Sequence, residues 1–511
     1  MNTVGIDDIA LYFPRLYFDI KDFAEYRGAQ YDKLNRGLGL AAMSIPDQHE
    51  DTATMGANAV CRLLDRNPID PRLIGRVYLG TESALDGAKP TATYILEMLE
   101  QRYEPQYGAG CLRHCDVVDM TFACIGAVDA LHNTLDWVAR GGVEQDRVGI
   151  VVFADHAKYE LGSSGEYTQG AGAGALLIRH NPRLIEIPDL WGVSTAPAHD
   201  FFKPRRHVET RVLLEEVLDL ARQAGAELSP DLISQMTRRL SSAHDEPHWL
   251  EEAHLAIHRD TPVFDGPLSN RCYIERVKEA FQRFQKSAIA RGRYSPEHDE
   301  ILTEQWRRIV FHLPYAFQGK RMFPDIFKYD RQGTEAWASL EAEMGPEPIQ
   351  SSFDHEDAWI QARDAYRRKI SKSHTFKDFV RDRIERGQRA SSLIGNQYTG
   401  SIFLSLMSTL ESDLIEGHDL SGAHIGFCAY GSGAKAKVFE GVVRPTWRAI
   451  TERFNLFARL TERTAISHRD YERLHRGQKS RSVIPPEREF SLESVGGAGQ
   501  LEGHRTYRWN A

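Results

Sequence analysis

Six cysteines in 511 residues are too few for a disulfide scaffold. No apolar run approaches the roughly 18–20 residues that a membrane span needs. The N-terminus, MNTVGIDDIALYFPRLYF, lacks the basic start, apolar stretch and small-residue cleavage site of a secretion signal. Reduced thiols in a cytoplasm, with no membrane partner, are the expectation. An excess of positive charge is also missing: 63 Lys+Arg against 72 Asp+Glu leave a net charge of −9. The whole chain therefore carries no footprint for nucleic acid. Cys111, His114 and Cys115 lie close together, but no second ligand pair of matching spacing follows, so no metal is expected. Short repeats and low-complexity tracts are absent too.

What remains is ordinary globular composition, 41% hydrophobic and 26% charged, in a chain long enough for a large core. Residues 1–180 read as alternating strands and helices, the pattern of an α/β fold. Residues 76–80 (RVYLG) and 147–154 (RVGIVVFA) are short apolar runs typical of buried strands. Between them Val128, Leu131, Leu135 and Val138 follow helical spacing, stopped by Gly141-Gly142. Residues 308–313 (RIVFHL) and 423–430 (AHIGFCAY) read as further buried strands, and a helix with Ile402, Leu406 and Leu410 follows Asn396. The second half, 181–511, thus resembles the first in style.

Two charged stretches interrupt this alternation. In 205–260, Leu213, Val217, Leu220 and Ala224 form one apolar stripe, and Ser229-Pro230 opens a second helix with Leu232, Ile233, Met236 and Leu240. In 325–388, Trp337, Trp359, Tyr366 and Phe376 are spaced between charges. Both read as helical insertions on the surface of an α/β core. The segment 476–490 reads as loop.

Several residues have a context suited to chemistry. Cys124, in TFACIGAVDAL, falls between an apolar approach and a helix, which puts its sulfur at a strand-to-helix turn. A helix N-terminus favours the thiolate, and Gly126 keeps the turn small for a substrate. A buried, inert cysteine fits the same sequence. Glu82 and Asp86 directly follow the strand at 76–80, and α/β sheets gather ligands at the carboxyl ends of strands. A part-buried carboxylate there has a raised pKa and serves as a general base; a capping acid or a solvated charge is the plainer alternative. His312 ends an apolar strand before Pro314, where an imidazole can polarise a carbonyl or hold a thiolate. The Gly-rich turn in AYGSGAKA, with Ser432, offers backbone N–H groups for an oxyanion, or is a plain turn. Asn396, in IGNQYTGS, offers an amide donor or a helix cap.

The order of these segments resembles the hydroxymethylglutaryl-CoA synthases. GTES with LD, then AC, ADHAKYE, TQGAGAGALLI, HDFFKP, DGPLSNRCY, FHLPY, GNQYTGS and YGSG follow one another as in that family, and EDTATMGANA is similar to it as well. The resemblance implies a thiolase-like fold, two similar α/β halves in a layered core, and a homodimer. It implies that Cys124 takes the acetyl group of acetyl-CoA, that Glu82 removes a proton from the acetyl methyl, and that His312 orients acetoacetyl-CoA and polarises its ketone. Asn396 and the backbone at Ser432 would hold thioester oxygens. Asp86, Asp155 and Asp200 match acidic positions around the family's site; Ser269, Asn270 and Tyr273 belong to the matching DGPLSN stretch. No cofactor is implied beyond the coenzyme A thioesters, which are substrates, and the product is a mevalonate precursor.

Three departures stand out. Ile125 replaces the family's usual Tyr after the nucleophile. Phe317 replaces a Lys that typically meets CoA phosphates, although Lys320 and Arg321 follow closely. Phe202 stands where Trp or Tyr is usual, while Lys203 fits the family. These changes keep three alternatives in view: the same condensation on an acyl-carrier protein, as in polyketide β-branching; a β-ketoacyl synthase III-type condensation; and a non-catalytic acyl-binding scaffold. Arg205, Arg206, Arg211, Arg367, Arg368 and Lys369 are the basic candidates for docking an acidic carrier, or are simply solvated helix faces.

Overall fold

The computed structural model describes residues 3–141, 147–225, 254–295, 300–497 and 502–511, together with Ser229, Asp231 and Ser234. The strands of the main sheet are β1 (Val4–Tyr12), β2 (Ile74–Gly80), β3 (Asp116–Met120), β4 (Val148–Ala157), β5 (Gly170–His180), β6 (Ile185–Glu186), β7 (Trp191–Thr195), β8 (Trp306–Phe311), β9 (His424–Gly431) and β10 (Lys435–Val443). They form one ten-stranded sheet in the order β8-β9-β10-β6-β1-β5-β4-β2-β3, with β7 on β10. β3, β2 and β4 run parallel, as do β8 and β9; the other pairs are antiparallel.

Strands buried on both faces read as near-continuous apolar runs, and β4 shows why. Val151 and Phe153 face one cluster, while Ile150, Val152 and Ala154 face another. The first cluster is the middle of the molecule. There α3 (Gly126–Ala139) and α6 (Ser401–Ile415) are packed between the sheet's two halves, α3 contributing Val128, Leu131 and Leu135 and α6 Ile402, Leu406 and Leu410. Outside the first half lie α1 (Thr52–Arg66) and α2 (Thr91–Tyr107). Outside the second lie α5 (Gly266–Ala290) and the helices of 318–383. The result is a layered helix–sheet–helix–sheet–helix stack, the thiolase-like arrangement expected from the sequence.

Glycines allow the closest backbone approach in this stack. A Cβ on Gly80, at the end of β2, would lie 2.1 Å from the N of Ala127. A Cβ on Gly126 would lie 2.5 Å from the carbonyl O of Met120. The start of α3 is thus pressed onto the ends of β2 and β3. Gly126 serves this packing, not the substrate approach expected from the sequence.

The first charged stretch is only partly helical. It opens with a strand, Arg205–Glu209, paired to His254–His258, and carries α4 (Thr210–Gln223). The expected stripe on α4 is exposed at Leu213, Val217 and Leu220; among the side chains of α4 that the structure describes, Leu218 is the buried one. The second expected helix, with Leu232, Ile233, Met236 and Leu240, lies outside the described residues, as does Gly142. The second stretch holds the helices Pro324–Arg331, Glu335–Met344, Glu356–Lys372 and His374–Arg383, and buries Trp337, Tyr366 and Phe376.

The chain closes with a hairpin, β11 (Glu489–Val495) and β12 (Arg505–Asn510), whose Phe490 and Tyr507 enter the core beside α1 and α2. Glu489 bonds back to the first half: one oxygen accepts from Arg15 at 2.7 Å and the other from the Tyr12 hydroxyl at 2.9 Å. Asp51 caps α1 through the Thr54 N–H at 2.8 Å and accepts the Tyr507 hydroxyl at 3.0 Å. Thr52, the first residue of α1, donates to the Ser83 carbonyl at 2.8 Å, tying that helix to the loop that carries Glu82.

Candidate active site

Glu82, Cys124, Asp155, His312 and Ser432 all sit at or just beyond the carboxyl ends of their strands, β2, β3, β4, β8 and β9. Because α3 is seated on β2, the Cys124 sulfur comes within 2.9 Å of Glu82 Oε1. The turn before it is strained: Ala123 has φ of +38°, a conformation that costs a non-glycine residue on the order of 1–3 kcal/mol.

The thiol is buried, and burial, followed by the charge of Glu82, pushes its pKa well up. This corrects the expectation that the helix N-terminus favours a thiolate. Cys124 is a thiol that donates to a carboxylate. Glu82 behaves as the sequence suggested: burial raises it from 4.5 to about 7, with Lys203 opposing the rise. A carboxyl poised there can take a proton from the thiol or from carbon near neutral pH.

Asp155 holds this base in place and does not itself line the catalytic cavity. It is fully buried; Oδ1 accepts the Glu82 N–H at 2.8 Å and Oδ2 the Thr399 N–H at 3.1 Å, and the hydroxyls of Thr81 and Thr399 add to the cage. Lys203 donates to the Glu82 carbonyl at 3.1 Å.

Across the cavity stands His312, 2% exposed. Burial lowers its pKa to about 3, partly offset by the Tyr398 backbone, so the imidazole is neutral. Its Nδ1 is buried without a hydrogen-bond partner. Tyr273 donates to the His312 carbonyl at 2.7 Å and lies nearly parallel to its ring. Asn396 accepts the Tyr398 N–H through its side-chain oxygen at 2.8 Å, which leaves the NH₂ end for a ligand. It is not a helix cap; α6 starts after Gly400.

Cys124, His312, Asn396, Ser269, Tyr273 and Ser432 line one cavity of about 390 Å³. A second, of about 850 Å³, opens beside it and is lined by Glu82, Asp86, Lys203, Arg205 and Ser432. Cys124 and Glu82 therefore stand between an inner chamber and an outer vestibule.

Three expected residues take other places. Asp86 is exposed at the vestibule and caps a turn, accepting the N–H groups of Ala88 and Lys89 at 2.7 Å, which lowers its pKa. Asp200 lines neither cavity; it accepts the Tyr430 hydroxyl at 2.9 Å and the Gly433 N–H at 2.8 Å, so it fixes the Gly-rich turn beside Ser432. Lys320 is absent from both walls. It lies over the Phe317 ring and 3.9 Å from Glu385, outside the chamber; its neighbour Arg321 lines the wall instead. Ile125 turns into the central core, fully buried.

Among the wall residues not singled out from the sequence, two stand against the sulfur. Tyr159 and Tyr398 pack against Cys124. The Tyr398 hydroxyl is buried and unpartnered, and its backbone has φ of +41°. Both lie in segments quoted for the family resemblance, but a bulky aromatic reads equally as core.

The sequence pattern described as hydroxymethylglutaryl-coenzyme A synthase N terminal matches residues 1–182, and that described as hydroxymethylglutaryl-coenzyme A synthase C terminal matches 254–487. Residues 183–253 lie between the two matches. Residues 325–388 lie inside the second. The chain is 31% identical to a hydroxymethylglutaryl-CoA synthase of Haloferax volcanii over 93% of its own length and 92% of that protein. It is 26% identical to one of Schizosaccharomyces pombe over 92% and 89%. Its backbone matches MvaS in complex with 3-hydroxy-3-methylglutaryl coenzyme A at a TM-score of 0.74, with 25% identity and full coverage of both chains. The HMG synthase of the curacin biosynthetic pathway matches at 0.69, with 18% identity, over 99% of this chain and 100% of that one, a likeness of fold.

Proposed function

Because this chain belongs to the hydroxymethylglutaryl-CoA synthase family, we infer that its cavity condenses acetyl-CoA with acetoacetyl-CoA to 3-hydroxy-3-methylglutaryl-CoA, and we propose how its own residues do so. The observation that carries the proposal is the 2.9 Å contact between the Cys124 sulfur and Glu82.

Glu82 takes the thiol proton as the sulfur attacks the acetyl thioester. The C–S bond to coenzyme A breaks, and the departing thiolate recovers that proton. Glu82, a carboxylate again, removes a proton from the methyl of acetyl-Cys124. The enolate forms a C–C bond to C3 of acetoacetyl-CoA, whose ketone oxygen becomes the product hydroxyl by taking a proton. Water then cleaves the acyl–Cys124 bond, releasing the new carboxylate and restoring the thiol. His312 orients the acetoacetyl group and polarises its ketone. Asn396 and the backbone at Ser432 hold thioester oxygens, and losing one such donor typically costs ~10²–10³ in rate. Asp155 acts through Glu82, Asp200 through the turn at Ser432, and Ser269 and Tyr273 shape the wall.

The remaining parts of the reading are proposals of the same kind. The halves divide near residue 180, in keeping with the ends of the two matched patterns. The molecule is a homodimer, supported by the edge position of β3 and its half-covered Val117, Val118 and Met120. The six cysteines, all unpaired, suit a cytoplasm; among the described residues no helix is long and apolar enough to cross a membrane. A second reading, acetoacetyl delivered on an acyl-carrier protein, is favoured by Phe317 in place of the family's lysine.

Intact mass tests both readings. Acetyl-CoA should add one acetyl group to the wild type and none to Cys124→Ala. Discharge of that group by acetoacetyl-CoA supports the synthase; discharge only by an acetoacetyl carrier protein moves the substrate to the carrier. No acetylation of the wild type overturns the proposal.

A further inference from the structure

The C-terminal hairpin lies beyond the family pattern, which ends at residue 487. Besides the Asn58 bonds to Phe490 and the Asp51 bond to Tyr507, its hold on the first half includes one phenol set between two carboxylates. The Tyr12 hydroxyl is 2.5 Å from Glu50 Oε1 and 2.9 Å from Glu489 Oε2. All three groups are buried: Tyr12 is 1% exposed, Glu50 9% and Glu489 5%.

A phenol has one hydrogen and donates one bond. Two carboxylates cannot both accept from it. One of the two must itself carry a hydrogen and donate to the phenol oxygen. The surroundings identify which. Glu489 Oε1 accepts from Arg15 at 2.7 Å and lies 3.5 Å from His49 Nε2; these favour its charged form. Glu50 Oε2 accepts only the Asp47 N–H, at 2.7 Å, and no cation bonds it among the described residues. Arg62, on α1, stacks over the Tyr12 ring at 4.5 Å and donates to the Leu11 carbonyl, not to Glu50. Arg459, from the helix Leu456–Thr461, donates to that same carbonyl at 2.9 Å. Asp47 is occupied by the N–H groups of Gln48, Val483 and Ile484. His49 Nδ1 is bonded to Ser482.

We propose that Glu50 holds a structural proton at pH values where an exposed glutamate has lost its own, and that the relay from the Glu50 O–H to the Tyr12 O–H to the Glu489 carboxylate latches the C-terminal hairpin to the N-terminal half. The raised pKa of Glu50, caused by burial, and the lowered one of Glu489 agree with this assignment. When Glu50 loses that proton, Tyr12 can bond only one of the two carboxylates. The latch then weakens, and the hairpin opens more often. The site is separate from the cavity that holds Cys124.

Glu50→Gln tests this, because its NH₂ donates to the phenol oxygen at every pH. Infrared difference spectra of the full chain near neutral pH should show a protonated carboxyl band that Glu50→Gln removes. Hydrogen exchange followed by mass should show peptides of 489–495 and 505–510 losing protection, relative to the core, as pH rises from about 5 to 9 in the wild type. In Glu50→Gln their protection should stay level. Tyr12→Phe, which keeps the ring and removes the relay, should leave the hairpin weakly protected throughout. A band that survives Glu50→Gln, or hairpin exchange with the same pH dependence in both proteins, overturns the proposal. Acetylation of Cys124 in the same samples shows that the catalytic site is intact, so a failed latch and a failed active site remain distinguishable.

Discussion

Replacing Glu82 by glutamine should stabilise the protein at neutral pH while it abolishes condensation. The site holds this carboxyl at about 7 against its ordinary 4.5. At about 1.4 kcal/mol per pH unit, that difference corresponds to roughly 3 kcal/mol of folding free energy. Glu82 keeps some contact with solvent at the vestibule, so roughly 3 kcal/mol is an upper figure. The sign follows from linkage. A group whose pKa is higher in the folded than in the unfolded chain binds its proton more tightly when folded. Its favourable contribution is complete below 4.5 and is lost as pH rises through about 7. Glutamine does not ionise, so the variant escapes that loss and still offers Oε1 to the Cys124 thiol. Calorimetry of both proteins from about pH 5 to pH 8 should show a Tm gap that is small at the acid end and grows to several degrees at most. A gap of constant size across that range would refute the reasoning, because it would show that the substitution acts through packing and not ionisation. The trade has a plain physical origin: the environment that makes Glu82 a base near neutrality is one in which its charge is poorly solvated.

Two other perturbations bear on the same structure. Lys203 opposes the rise in the Glu82 pKa, so Lys203→Met should move the acid limb of the condensation pH–rate profile to higher pH; an unmoved limb would remove Lys203 from the electrostatics of the base. Arg308 and Asp413 are both fully buried and paired through two bonds, at 2.8 and 2.5 Å. Asp413→Ala leaves the guanidinium without that partner and should cost about 3–5 kcal/mol, read as a lowered urea midpoint; a loss below about 1 kcal/mol would show that Arg308 finds another partner.

The residues differ in how much of this was legible before the fold was known. The strand read at 76–80 was legible because both its faces are buried, which leaves the apolar run Val77-Tyr78-Leu79 after Arg76. Cys124 was readable as a turn cysteine, but its ionisation was not: the dipole argument concerned α3 alone, whereas the nearest charge is a carboxylate 42 residues away in sequence. Lys320 was singled out because it closely follows Phe317, where the family's lysine would stand. On the short helix Gln318–Met322 the neighbouring side chain, Arg321, is the one that reaches the chamber. Tyr159 and Tyr398 escaped notice because a large aromatic signals core as well as cavity wall. The backbone φ of +41° at Tyr398 has no signature in composition. The amphipathic spacing of Leu213, Val217 and Leu220 marked a helix correctly, and the stripe is exposed, since spacing carries no information on what, if anything, packs against it.

The two-residue strand β6 has a consequence for how this protein is made. Gly5 and Ile6 lie on one side of it and Val442 and Val443 on the other. The chain leaves the ribosome N-terminus first, at roughly 5–20 residues per second. Between the emergence of β6 and that of β10, the free edge of β6 and the inner faces of β1, β4 and β5 wait for partners on the order of tens of seconds. An open strand edge beside bare apolar surface pairs readily with another nascent chain. Chaperone dependence should therefore concentrate in translation of the second half, and a ribosome stalled between residues 186 and 435 would carry the most aggregation-prone species this sequence can form.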